Sequence, residues 1–80
     1  MIGGMFGEWL EDQQHRGDDV GRFARLCWED YTSGCARYYA TALQWKAHFE
    51  MRHSTKLDVI IPLLKASYEN YLTSLLPTTE

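Results

Sequence analysis

The segment from Phe6 to Arg25 constrains the fold of this chain more than any other. Phe6, Trp9, Leu10 and Gln13 recur at spacings of three and four, with Glu8, Glu11 and Asp12 between them. That period predicts an amphipathic helix from Met5 to Gln14. Its acids fall early to mid-helix and Arg16 follows its end, as the helix dipole prefers, and Gly17 reads as the terminator. Asp18 or Asp19 then caps a second helix by accepting a hydrogen bond from a first-turn amide. Val20, Phe23, Ala24, Cys27, Trp28 and Tyr31 form the cleanest apolar stripe in the chain, and Arg22, Arg25 and Glu29 fall on the water side. Gly21 lies inside this helix, where it costs about 1 kcal/mol relative to alanine. Its expected role is to let another helix approach, with Trp9 lying over it.

Helices this short do not hold alone in water, so the remaining chain must cover their stripes. Thr32-Ser33-Gly34-Cys35 is a break. A third helix is predicted from Tyr38 or Thr41 to Arg52, with Tyr38, Ala42, Trp45 and Phe49 on one face and Tyr39 and Leu43 widening it. Ser54 or Thr55 is placed to cap a fourth, striped by Leu57, Ile60, Ile61, Leu64, Tyr68, Tyr71, Leu72 and Leu75. Pro62 fits the first turns of a helix that begins near Asp58, with Leu57 in a short lead-in. Leu76 to Glu80 is expected to fray. No segment reads as a strand and no internal repeat is visible. The expectation is a single all-α domain over residues 1–80, with its core between about residues 5 and 75: a compact four- or five-helix bundle. The predicted core is Phe6, Trp9, Leu10, Val20, Phe23, Ala24, Cys27, Trp28, Leu43, Trp45, Phe49, Ile61, Leu64, Tyr68 and Leu72.

The pattern Trp9-Leu10-x-x-Gln13-x-x-Arg16-x-Asp18-Asp19-Val20-Gly21-x-Phe23-Ala24 resembles the YozE-like family, a group with a sterile-alpha-motif-like helical fold. More loosely, Tyr39, Leu43 and Phe49 match the family's third-helix positions, and Leu64, Tyr68 and Tyr71 its closing positions. The resemblance covers about residues 6 to 72. It departs at Tyr31-Thr-Ser-Gly-Cys35, where the family commonly has a Phe-Pro-type loop. It implies a sterile-alpha-motif-like bundle and carries over no catalytic residue.

No catalytic constellation is legible. His48 and His53 are five apart, off the i,i+4 spacing of a helical two-histidine metal site. They read as two surface histidines near a helix end, and no metal is expected. The neighbouring acids Glu11-Asp12, Asp18-Asp19 and Glu29-Asp30 point in different directions on a helix and make no general acid–base pair. Cys27 reads as a buried thiol on the stripe of its helix, and neither it nor Cys35 has the signature of a nucleophile. Gly3, Gly4 and Gly7 are followed by acids and form no phosphate cradle. The expectation is therefore no enzyme, no cofactor and no small-molecule substrate. The chain's start shows neither a signal peptide nor a myristoylation site, and no apolar run approaches a membrane span. With the two cysteines reduced, a cytoplasmic location is expected.

Two partner classes remain. With three Trp, three Phe and five Tyr among 80 residues, the aromatic surface exceeds what a small core covers, which favours a protein partner or self-association. Tyr38, Tyr39 and Tyr71 are the expected exposed rings. The leading expectation is a non-catalytic protein-interaction module. The alternative rests on charge. The chain is −3 overall, but residues 37–56 carry Arg37, Lys46, Arg52 and Lys56 against Glu50 alone. That basic island is a candidate anion or nucleic-acid surface, with the third helix as its recognition element.

Overall fold

The computed structural model describes residues 5–75. Among these residues the chain forms α1 (Phe6–Glu11), α2 (Asp19–Thr32), α3 (Ala42–Arg52), a 3-10 turn (Ser54–Lys56) and α4 (Leu57–Leu75), with no strand. This is a small all-α bundle. α4 is its spine and packs against α1, α2 and α3. The predicted fraying of Leu76–Glu80 lies outside the described residues.

Several boundaries follow local chemistry. Asp18, not Asp19, caps α2, its carboxylate accepting from the Gly21 amide at 3.1 Å. Thr41 opens α3 with a capping box, in which its hydroxyl takes the Gln44 amide and the Gln44 side chain takes the Thr41 amide. α4 starts at Leu57 and holds Pro62 in its second turn, with the Pro62 ring on the exposed side. Ser54 and Thr55 do not act as a simple cap; they belong to the 3-10 turn that leads into α4. Gly17 also differs from expectation, because the positive-φ residue among those described is Gly34, where the chain leaves α2.

Two glycines are required by close backbone approach. A β-carbon on Gly21 would collide with the Arg16 carbonyl, so the crowding comes from the preceding turn and not from Trp9 or another helix. A β-carbon on Gly7 would collide with the Tyr39 carbonyl, where the Gly7 amide donates to the Ala40 carbonyl at 2.9 Å.

The core contains Phe6, Leu10, Val20, Phe23, Ala24, Cys27, Trp45, Phe49, Ile60, Leu64 and Tyr71. Three predicted core residues are exposed: Leu43 (75%), Tyr68 (40%) and Leu72 (44%). Leu43 sits two positions before Trp45, and about 200° of helical rotation turns it away when Trp45 and Phe49 face inward. On α4 the buried stripe is Ile60, Leu64, Ser67 and Tyr71. The residues one position later fall outside it, so Tyr71 is buried where exposure was expected and Tyr68 takes the open position. Trp9, Trp28 and Ile61 are half-buried.

Candidate functional site

Two regions stand out, one closed and polar, the other open and apolar. The closed region is built where three elements end. Asp30 lies in the last turns of α2, at the position after Cys27 where the buried stripe continues. Its carbonyl accepts the amides of Cys35 and Ala36, which fixes the exit from the helix. His48 follows Trp45 by three residues on the buried face of α3, and His53 is the C-cap of the same helix. The Oδ2 atom of Asp30 meets His48 Nε2 at 2.7 Å and His53 Nε2 at 2.8 Å. Asp30 is 8% and His48 7% exposed, and the His48 ring packs against Tyr39, Trp45 and Phe49.

The sequence reading of two surface histidines is thus corrected. His48 is buried and His53 half-buried, because a carboxylate from another helix supplies the partner that burial of a polar ring demands. Burial alone raises the Asp30 carboxyl, but hydrogen bonds from His48 and His53 outweigh it and hold the group below the usual carboxylate range. The cluster ties the end of α2 to the end of α3. Beside it lies a depression of about 370 Å³ lined by Cys35, Tyr39, Gln44, His48, Met51 and Arg52. Arg52 donates to Cys35 Sγ at 3.2 Å; hydrogen bonds from Ser33 and Arg52 hold this exposed thiol below its ordinary range. Cys27 behaves oppositely, since burial pushes its thiol up.

The open region is a groove of about 590 Å³ between α1, the start of α3 and α4. Its walls include Met5, Leu43, Ile61 and Tyr68, with Lys46 and Lys65 among the lining residues. The outer stripe of α4 lines it at Ile61, Lys65 and Tyr68 and continues beyond it to Leu72 and Leu75. Ile61, Lys65, Tyr68, Leu72 and Leu75 repeat at alternating spacings of four and three, the repeat of a helix seam that packs against another helix. Tyr68, Leu72 and Leu75 are all at least 40% exposed.

The four basic residues of the island line no common depression. Lys46 lines the apolar groove and approaches Glu50 at 4.0 Å. Arg52 lines the separate depression beside Cys35. Arg37 is exposed in the α2–α3 connection, and Lys56 is exposed in the 3-10 turn. Sequence reasoning missed the Asp30 cluster, although one signal for it was present: Asp30 and His48 both sit on faces otherwise occupied by core residues.

The corner between α1 and α2 links the motif positions through hydrogen bonds. Gln13 donates to the Trp9 carbonyl at 3.0 Å and accepts from Arg16 at 3.2 Å. Arg16 also pairs with Asp18 at 2.7 Å and reaches Asn70 of α4 at 3.3 Å. Arg25 donates to the carbonyls of Gln14 and Arg16. These contacts assign the charged residues of the corner to holding the fold.

No protein-family model, curated protein or solved structure matches this chain. No helix among the described residues is long and apolar enough to cross a membrane.

Proposed function

We propose that this protein is a non-catalytic protein-interaction module whose groove takes an acidic amphipathic helix of a partner protein. The observation that carries this reading is the second apolar stripe of α4. From the half-buried Ile61 it runs through Tyr68, Leu72 and Leu75, which no described residue covers. Its repeat fits helix-in-groove recognition, in which a partner helix inserts side chains at i, i+3, i+4 and i+7. Lys46 and Lys65 at the groove favour carboxylates flanking the partner's apolar face. A parallel second copy would set Lys65 against Lys65, which disfavours that form of self-pairing. The proposal includes the YozE-like reading, which rests on the sequence pattern from Trp9 to Ala24. It also includes a cytosolic setting, which suits the free thiol of Cys35.

The test is a displayed library of helical peptides panned on the wild-type protein and counter-selected on Leu43→Glu. The reading expects enriched peptides with an apolar stripe flanked by Asp or Glu, and their affinity falls at least about tenfold on Leu43→Glu or Tyr68→Glu. Enrichment of basic peptides, or binding indifferent to both substitutions, overturns it. So does a mobility shift of duplex DNA that is lost on substitution of Arg37 and Arg52 and unaffected at Leu43.

A further inference from the structure

The hydrogen bonds at the closed end gather three possible metal ligands around one point. Two imidazole nitrogens and one carboxylate oxygen, contributed by α2, α3 and the cap of α3, converge within 4.8 Å of one another. We propose that Asp30, His48 and His53 form a binding site for a zinc-class divalent cation.

The donor set decides the class. Imidazole nitrogen with carboxylate oxygen suits zinc and its late first-row neighbours. Calcium and magnesium take oxygen ligands almost exclusively, and one side-chain carboxylate supplies too few of them. The geometry is close to that required. The Nε2–Oδ2 separations are 2.7 and 2.8 Å. Ligands around a tetrahedral zinc stand roughly 3.3 Å apart, from metal–ligand bonds of about 2.0–2.1 Å. Opening the two nitrogen–oxygen pairs by about half an ångström brings them to that spacing, and the two imidazole nitrogens already lie within 4.8 Å of each other.

The protons balance. Each Nε2 that now shares a proton with the carboxylate must present its lone pair to the metal. A neutral ring does this by carrying its proton on Nδ1, and an imidazolium by releasing one proton to solvent. The carboxylate binds as its anion. Three protein ligands leave one position for water, and His53, with 29% of its side chain exposed, is the ligand that faces solvent. The aromatic walls around His48 hold its ring, so the adjustment falls to Asp30 and the half-buried His53. Bound there, the ion would clamp the end of α2 to the α3 corner more firmly than the hydrogen bonds do. This inference is independent of the groove and goes beyond the proposed interaction function.

The test is calorimetric titration of the full chain with Zn2+, repeated with Co2+ followed by visible absorption. It is run in a Cys35→Ser background so that the exposed thiol does not contribute. The expected result is one equivalent bound at micromolar affinity or tighter, with nitrogen–oxygen cobalt bands and NMR shifts at the rings of His48 and His53. Asp30→Asn and His53→Ala should each weaken binding at least about tenfold. His53 is half-buried, so His53→Ala carries the test if Asp30→Asn fails to fold. Two results overturn the proposal: no saturable zinc binding in the micromolar range, or one equivalent whose affinity the folded variants leave unchanged, which would assign it to His15 or another surface group.

Discussion

The two ends of this bundle solve opposite problems. At the end of α2 and α3, three polar side chains leave water and satisfy one another around a single carboxylate oxygen. Along α4, apolar side chains remain in water without a partner in the described chain. A buried polar group without a partner is costly, so the first arrangement must be complete within the fold. An exposed apolar seam costs less and can wait for a second molecule. The contrast assigns stability to the polar cluster and recognition to the groove.

The largest effect expected from breaking this division is at Asp30. Asp30→Ala leaves the buried His48 and the half-buried His53 without their acceptor, and two polar rings losing a partner at about 1–3 kcal/mol each cost about 3 kcal/mol together. In a domain of this size that lowers the melting temperature by roughly 12–24 °C, measurable by circular dichroism. A drop of a few degrees would show that the cluster carries little of the fold.

Next comes Gly7→Ala, which touches both regions. The new methyl meets the carbonyl of Tyr39; Tyr39 packs on His48, and the next residues, Ala40 and Thr41, line the groove. Overpacking of this kind costs about 1–3 kcal/mol, read by chemical denaturation. A neutral result would mean that the α1 backbone shifts freely.

A smaller effect belongs to the α2 cap, outside both regions. Hydrogen bonds from Arg16 and from the Gly21 amide lower the Asp18 carboxyl. A carboxyl lowered on folding adds stability above its unfolded pKa, and that contribution fades as pH falls through the folded value. Acid titration should therefore show wild type and Asp18→Asn separated by a constant difference at neutral pH that shrinks as pH falls from the ordinary carboxylate range through the lowered folded value, with Asp18→Asn the less pH-sensitive. Parallel curves would remove Asp18 from the acid response.

The smallest stability change is expected in the groove. Leu43→Glu, at a position 75% exposed, should alter unfolding free energy by no more than about 0.5 kcal/mol. A loss comparable to that of Asp30→Ala would return Leu43 to the core and close the groove as a recognition surface.

What the sequence disclosed follows the range of the interactions. The α2 stripe as far as Cys27 and the placing of Pro62 in the early turns of α4 depend on near neighbours and were legible; the α2 cap was narrowed to Asp18 or Asp19 and the start of α3 to Tyr38 or Thr41, while Tyr31, at the end of the stripe, is 43% exposed. The face of α4 was only half legible, because its apolar residues form two adjacent stripes. Leu64 is buried as expected, but burial of Ile60 and Tyr71 in place of Ile61, Tyr68 and Leu72 depends on how α1, α2 and α3 dock on it. The Asp30 cluster was least legible. Its members are separated by 18 and 23 residues from Asp30, and neither histidine spacing nor the Glu29-Asp30 pair points to it. The available signal was a carboxylate and an imidazole each continuing a core face, which requires that they find a partner. The basic island was visible as a run of charge, but helical rotation divides Lys46 from Arg52.

The most direct test of the division between a structural end and a recognising one is a 15N-edited NMR titration with an acidic amphipathic helical peptide. The account predicts shifts concentrated at Leu43, Lys46, Ile61, Lys65, Tyr68 and Leu72, with Asp30 and His53 unmoved. Shifts centred on Arg37, Arg52 and Lys56, or none at saturating peptide, would contradict it.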